Sequence, residues 1–168
     1  MDAIEAILSR RSIRRYTSQK VSGQLIKELL EAAMSAPSAS NEQPWHFIII
    51  NEPKILEDIP KFHPYSGMLR EAPLAILVCV DLDLGTEGFL IQDGSAATEN
   101  LLIAAHAKGL GAVWLGIYPL KERTTGMRKL LAIPERILPL SLIAIGYPAE
   151  RIPRENRYQP SRVHNNRW

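Results

Sequence analysis

Residues 35–50 read SAPSASNEQPWHFIII and take the chain from a helix into a strand. The helix must end near Pro37, because the residue before a proline is pushed out of the α region. A strand then begins at Trp45 and continues through the apolar run from Phe47 to Ile50. Between helix and strand lies a loop of short amide and hydroxyl side chains, which lets a flat polar ligand approach the backbone. The same composition also occurs in turns that only end a helix.

Hydrophobic periodicity predicts the elements on both sides of this loop. The predicted helices and strands are, in chain order and with approximate bounds, helices at 2–10 and 22–35, a strand at 45–51, a short helix at 53–59, a strand at 74–80, a helix at 92–108, a strand at 111–117, a helix at 121–131 and a strand at 138–146. Ser22 is the predicted N-cap of the second helix, and residues 60–73 are predicted as loop. Two helices come first and strict alternation is missing, which argues against a doubly wound dinucleotide fold. The order predicts an α+β fold with helices on both faces of one sheet.

A basic segment, Arg10-Arg11-Ser12-Ile13-Arg14-Arg15-Tyr16, ends the N-terminal helix. Guanidinium groups bind phosphate oxygens bidentately and the serine hydroxyl adds a donor, so this segment is a candidate phosphate clamp. Arginine clusters also serve as solvated surface charge. Ile4, Ile7 and Leu8 precede the segment at helical spacing, which predicts that one face of the helix is buried. The helix at 92–108 is apolar nearly all round and is also expected to be buried.

Composition is that of an ordinary globular domain. The chain has 168 residues, of which 46% are hydrophobic and 23% charged, enough for one domain with a real core. The net charge of +2 implies no global polyanion binding. Residues 1–20 and 150–168 each hold five basic and two acidic residues, so the two ends are basic and the middle is acidic on balance. Two basic ends suit a shared anionic ligand better than a broad nucleic-acid surface.

Several common sites are excluded by the motifs. Cys79 is the only cysteine and lies in an apolar run, so we expect a buried structural thiol and no disulfide. The four histidines lack metal-ligand spacing. The pair Gly109-Leu110-Gly111 fails the dinucleotide fingerprint, because Trp114 stands where the third glycine belongs. With no acid–base machinery in view, a cofactor would carry the chemistry if the protein is an enzyme.

The sequence shows neither a secretory pattern at its N-terminus nor an apolar run of transmembrane length. We therefore expect no membrane partner and a reducing, cytoplasmic location.

The chain resembles the FMN-dependent nitroreductase family in its short single-domain form. The resemblance covers nearly the whole chain and rests on motifs that are specific in this order: Arg10 to Arg14, Ala36 to Trp45, Gln92-Asp93 opening a long apolar helix, Gly109-Leu110-Gly111 before Trp114-Leu115-Gly116, and the tail Val163 to Trp168. It implies a single domain over residues 1–168 with a three-layer α/β/α fold around a mainly antiparallel sheet. It also implies an intertwined homodimer, in which about residues 150–168 form an arm that reaches the partner subunit.

The resemblance also implies which residues bind FMN. Arg10, Arg11, Ser12 and Arg14 match the motif that binds the phosphate and the polar edge of the ring. Pro37, Ser38, Ala39 and Asn41 match a loop that the partner subunit contributes, with Gln43 supporting it. Leu115 and Gly116 match the segment beside the ring, where a backbone N–H faces N5. Arg157 is a candidate for a further phosphate contact, and surface charge is nearly as good an explanation. No catalytic side chain and no metal are implied.

The implied reaction moves two electrons from NADH or NADPH through FMN to an oxidised acceptor. Nitroaromatics, quinones and conjugated carbonyls have the right shape. Trp45, Tyr65 and Phe89 could line the acceptor pocket, although core or dimer packing explains each equally and is preferred for Trp45. The chain has no room for the long helical lid of larger members, so residues 81–91 are predicted to take its place.

Relatives of similar outline use flavin for dehalogenation or degrade it, so the substrate class stays open. Two alternatives of a different class also remain. A flavin-binding or storage protein with little NAD(P)H turnover would share these motifs. A phosphate or nucleic-acid binding protein could use the two basic ends. The acidic middle and the lack of an aromatic-basic strand pattern disfavour that second alternative.

Overall fold

The computed structural model describes residues 1–86 and 88–168. The helices in these residues are α1 (Ala3–Ser9), α2 (Gly23–Met34), α3 (Pro53–Asp58), α4 (Leu90–Ala107) and α5 (Lys121–Leu131). The strands are β1 (Trp45–Ile50), β2 (Leu74–Asp81), β3 (Gly111–Gly116) and β4 (Ile137–Gly146). Short 3₁₀ turns lie at 39–41, 59–61, 67–70 and 160–162; the third lies inside the stretch predicted as loop and the second overlaps its start. Every helix and strand lies within two residues of its predicted bounds, and Ser22 caps α2 as predicted by accepting from Leu25 N.

The strands form one antiparallel sheet in the order β1-β2-β4-β3, which leaves β1 and β3 at its edges. Alternate residues of β2 face opposite layers. Leu74, Ile76 and Val78 pack with residues of α2 and α4, whereas Leu77 and Cys79 pack with residues of α3 and α5. Both faces are therefore covered by helices, which is why β2 is buried along its whole length and apolar from Leu74 to Val80. The predicted α+β fold with three layers is confirmed.

The basic segment runs along the open edge of β3. Ser12 forms a parallel bridge with Ala112, and Ile13 N donates to the Ala112 carbonyl at 3.0 Å. On its other side, Ala149 N donates to the Arg15 carbonyl at 2.9 Å. The buried Tyr16 hydroxyl lies 2.6 Å from the Ile13 carbonyl, and burial raises the pKa of Tyr16 above its ordinary value. The backbone that carries the arginines is thus held between the sheet and the start of the C-terminal tail.

One prediction about burial is wrong and two are confirmed. Ile4, Ile7 and Leu8 are 62%, 52% and 43% exposed, because α1 buries only Ala6 and turns its apolar stripe outwards. In contrast, α4 exposes only polar side chains over its length, as expected. The Cys79 thiol is fully buried, and burial raises its pKa to about 12, as expected for a structural cysteine.

The five helices of the described residues include none with the length and apolar character needed to span a bilayer.

Candidate functional site

A cleft of about 480 Å³ opens along the free edge of β3. It brings together four of the predicted residues. Arg14 comes from the basic segment, and Tyr65, Leu115 and Gly116 come from elsewhere in the chain. The lining residues are Arg14, His63, Tyr65, Met68, Val113, Trp114, Leu115, Gly116 and Arg123. Arg14 follows directly after the point where the segment touches β3, the single parallel bridge between Ser12 and Ala112. The lining described here is cationic, with two arginines and no carboxylate.

The backbone of β3 supplies donors to this cleft. Neighbouring residues of a strand direct their N–H and C=O groups to opposite edges. The Ala112 carbonyl accepts from Ile13 at the open edge, so Trp114 and Gly116 direct their backbone groups to that edge too. A β-carbon built on Gly116 would meet nothing closer than an arginine nitrogen at 4.0 Å, so the backbone there is accessible. The cleft therefore presents main-chain N–H groups beside a guanidinium.

The Gly116 carbonyl accepts two side-chain hydrogen bonds. Arg123 Nη1 donates at 2.7 Å and His63 Nε2 lies at 3.1 Å. A carbonyl only accepts, so Nε2 carries the proton. Burial, together with the nearby Arg123 charge, lowers the pKa of His63 and keeps its ring neutral at pH 7. Arg123 also lies 5.6 Å from the centroid of the exposed Tyr65 ring, within range of a cation–π interaction.

A second, smaller groove of about 210 Å³ lies between α1 and the tail. Its lining includes three of the predicted phosphate ligands, Arg10, Arg11 and Arg157. Arg157 pairs with Glu155 at 3.2 Å, and Arg10 lies 3.6 Å from Glu99. Basic side chains from both ends of the sequence therefore meet in one groove, next to the segment that reaches the cleft.

Arg11 differs from its neighbours in this groove. Its side chain is buried and donates to main-chain carbonyls, those of Arg10, of Pro153 at 3.0 Å and of Glu155 at 3.4 Å. The Glu150 carboxylate likewise accepts from Arg14 N and Arg15 N. These contacts attach the start of the tail to the basic segment. Within one chain the Arg11 donors bond the Arg10 carbonyl and the tail backbone, and its predicted phosphate contact stays a prediction.

The polar loop after α2 contains three non-glycine residues with positive φ. Ser40, Asn41 and Gln43 have φ of 50°, 58° and 51°, the left-handed region that non-glycine residues rarely adopt. Side chains hold it: Asp93 Oδ1 accepts from Ala39 N at 3.0 Å, and Ser38 Oγ accepts from Gln43 N at 3.0 Å. The cleft lining includes none of the predicted loop residues Pro37, Ser38, Ala39, Asn41 and Gln43. Within one chain, the structure does not bring this loop to the cleft.

The three aromatic residues considered for the acceptor pocket have different surroundings in the structure. Trp45 is buried against Ala36 and Ala97, so the core interpretation preferred for it is confirmed. Tyr65 lines the cleft, whereas Phe89 is exposed and is not among its lining residues. The predicted lid at 81–91 includes Glu87, which lies outside the described residues, so its role stays a prediction.

Sequence reasoning missed His63, Arg123 and the role of Asp93. His63 lies in a stretch predicted as loop and Arg123 in the first turn of α5, and neither follows a spacing that points to the cleft. The Gln92-Asp93 pair was noticed only as the start of a helix. The useful signal for Asp93 was a carboxylate beside the apolar face of a helix predicted to be buried, where it must find a donor.

Replacing Asp93 by alanine should loosen the polar loop. Asp93 is buried, and its loss leaves Ala39 N without its acceptor at a cost of about 1–3 kcal/mol. We expect a lower free energy of unfolding and faster hydrogen exchange at the Ala39 amide, with Asp93→Asn much closer to the unchanged protein. Asp81→Ala is the matched control, since that buried carboxylate accepts from Asp83 N instead. Unchanged exchange at Ala39 in Asp93→Ala would contradict this role.

Comparison with known proteins places this geometry. The model of the nitroreductase family matches residues 7–63 and 60–147. A protein of Methanothermobacter thermautotrophicus, provisionally named NADH dehydrogenase/NAD(P)H nitroreductase, is 49% identical over 100% of this chain and 88% of its own length. The crystal structure of a protein with the same provisional name from Parabacteroides distasonis has a TM-score of 0.96 at 39% identity, covering 99% of this chain and 98% of that one.

A provisionally named nitroreductase of Desulfovibrio desulfuricans, solved in complex with FMN, has a TM-score of 0.84 at 32% identity and covers 100% of this chain and 98% of that one. The family match spans most of the chain, and relatives above 30% identity cover it almost completely. The chain belongs to the nitroreductase family.

Proposed function

We propose that this protein binds FMN and uses it to pass electrons from NADH or NADPH to an oxidised aromatic or conjugated acceptor. The observation that carries the proposal is the cleft at the open edge of β3, where main-chain N–H groups stand beside Arg14. Membership of the nitroreductase family and the FMN-bound Desulfovibrio relative support the choice of cofactor.

The residues present fit FMN. A flat ring with a polar edge needs an open wall with hydrogen-bond donors, and β3 and Arg14 provide it. A phosphate needs cations, and the arginines of the neighbouring groove provide them. In the proposal, Arg10, Ser12 and Arg157 hold the phosphate and Arg14 holds the polar ring edge. Leu115 and Gly116 lie beside the ring, with the Gly116 N–H as donor to N5. Arg11 anchors the start of the tail beside this groove through the Pro153 and Glu155 carbonyls.

FMN, when bound, supplies the two-electron chemistry by accepting hydride and giving it up again. The chain's own residues bind the flavin and orient it. Main-chain N–H groups at a fixed strand edge favour charge that develops during the reaction, at no cost of reorganisation. A single open cleft admits a nicotinamide or a flat acceptor but not both, so the two bind in turn. No side chain has to form a covalent bond.

We propose that a second copy of the chain completes each site. The apolar stripe of α1, formed by Ile4, Ile7 and Leu8, is exposed in one chain, as are all residues from 151 to 168. The polar loop at 37–43 is prepared in a strained conformation yet lies away from its own cleft. A homodimer in which each tail crosses to the partner would cover the stripe and offer the loop to the other cleft.

A visible spectrum of the purified protein, followed by anaerobic addition of NADH and then NADPH, tests this function. We expect a flavin spectrum that bleaches with one or both nucleotides and returns when a quinone or nitroaromatic is added. A flavin spectrum that stays oxidised would favour a flavin-storage or flavin-processing protein. No chromophore, even after FMN is added, would contradict the proposal altogether.

A further inference from the structure

One carbonyl in the cleft receives more support than a strand edge requires. The Gly116 carbonyl accepts from Arg123 Nη1 at 2.7 Å, from helix α5, and from His63 Nε2 at 3.1 Å, from the segment between α3 and β2. Both donors line the cleft. The Gly116 carbonyl thus has both of its lone pairs engaged by side chains from two other parts of the fold.

These two bonds complete the fixing of one peptide plane. The next amide, Ile117 N, donates to the Leu140 carbonyl at 3.2 Å on the other side of the strand. The plane between Gly116 and Ile117 is therefore held at both its oxygen and its nitrogen. Glycine has the greatest backbone freedom of any residue, so without these bonds the Gly116–Ile117 peptide could rotate about the Gly116 Cα. The Gly116 N–H belongs to the preceding peptide, so the two bonds act on it by fixing the residue that carries it.

His63 is poorly explained as a core residue. Its side chain is only 1% exposed, and in the described part of the chain its Nδ1 is buried with no hydrogen-bond partner. A buried polar atom without a partner is destabilising, and an apolar ring of similar size would avoid that cost. The imidazole is retained at this cost for what Nε2 does, which is to hold the Gly116 carbonyl.

Arg123 adds charge as well as a hydrogen bond. Because His63 is kept neutral, the positive charge at this end of the cleft comes from Arg123. Reduced flavin carries more negative charge than oxidised flavin, and a fixed cation in a partly enclosed site favours the more negative form. Removing that cation should make the bound flavin harder to reduce.

From these contacts we propose that His63 and Arg123 are positioning residues that fix the Gly116 peptide against the flavin, and that the Arg123 charge also raises its reduction potential. The inference rests on the proposed function, because it requires FMN in the cleft. Neither residue exchanges protons or electrons with the substrate.

Four variants and one control test it. The variants are His63→Phe, His63→Gln, Arg123→Met and Arg123→Lys. The control is Arg128→Met, which removes an arginine of the same helix that donates to the Glu135 and Ile137 carbonyls at 2.8 Å and 3.0 Å and does not line the cleft. FMN affinity is measured by titrating FMN into flavin-depleted protein, and the midpoint potential by equilibration of the FMN-loaded protein with reference dyes.

We expect Arg123→Met to favour oxidised over reduced flavin by about tenfold, a shift of about −30 mV for a two-electron couple. Arg123→Lys should keep most of the potential, because it keeps the charge. His63→Phe should bind FMN about tenfold more weakly, the effect of one hydrogen bond of about 1.4 kcal/mol, and His63→Gln should restore binding. Arg128→Met should change thermal stability alone.

The inference is wrong if folded Arg123→Met and His63→Phe match the unchanged protein in both potential and affinity, or if Arg128→Met alters them equally. Should His63→Phe fail to fold, the contrast between Arg123→Met and Arg123→Lys decides. Failure of the proposed function looks different, because then the unchanged protein itself binds no FMN.

Discussion

Arg10→Ala combined with Arg14→Ala gives a folded protein that retains almost no FMN. Each arginine contributes a charge-assisted hydrogen bond of about 1.5–3 kcal/mol, so losing two weakens FMN binding by about 10²–10⁴-fold. The fold should survive, because Arg10 and its ion-pair partner Glu99 lie 3.6 Å apart at a partly exposed site and such pairs contribute little. Among residues 1–86 and 88–168, the Arg14 side chain bonds only locally, to the Ser12 carbonyl at 3.3 Å. The measurement is the ratio of flavin to protein absorbance after desalting, with a fluorescence titration for the dissociation constant.

Arg15→Ala is the matched control for the double variant. Arg15 belongs to the same basic segment, but its side chain is exposed and pairs with Glu71 at 3.1 Å, away from the cleft. We expect it to keep full flavin. If the double variant also kept full flavin, the clamp assigned to Arg10 and Arg14 would be refuted, and surface charge would be the better explanation of the segment.

Periodicity predicted the helices, the strands and their layers because those features depend on short stretches of sequence. The same reasoning failed for α1, where it detected an apolar stripe correctly but could not tell what covers it. Ile4, Ile7 and Leu8 would be buried against a partner as readily as against the chain's own core. A pattern of side chains within one helix carries no information about which molecule lies opposite.

The site was predictable where it is built from contiguous residues. Arg14 and Gly116 belong to short segments whose composition and order carry the family resemblance. His63 and Arg123 become neighbours only when α5 and the turn before β2 fold onto the end of β3. No local sequence pattern therefore predicts that they line the cleft. The left-handed residues after α2 were hidden for a different reason. Left-handed backbone is usually signalled by glycine, and Ser40, Asn41 and Gln43 adopt it without one.

Deleting residues 155–168 should weaken the proposed dimer and release flavin. In one chain Tyr158, Val163 and Trp168 are all exposed, and burying such side chains is worth about 1.5–3 kcal/mol each. Losing their contacts with a partner should raise the dimer dissociation constant by at least about 10³-fold, which corresponds to about 4 kcal/mol. Flavin should follow, because Arg157 goes with the tail and the partner's loop is no longer held at the cleft. Light scattering over a concentration series measures the dimer, and visible absorbance measures the flavin.

The deletion leaves the fold of each subunit intact, since Arg11 keeps its bond to the Pro153 carbonyl at 3.0 Å and Glu150 keeps the basic segment in place. Trp168→Ala and Arg162→Ala separate apolar contact from charge, because both side chains are exposed near the end of the tail. We expect the tryptophan change to weaken the dimer and the arginine change to leave it unaltered. A truncated protein that remains a dimer at every concentration and keeps its flavin would mean that the tail does not embrace the partner, and that the α1 stripe alone holds the two subunits together.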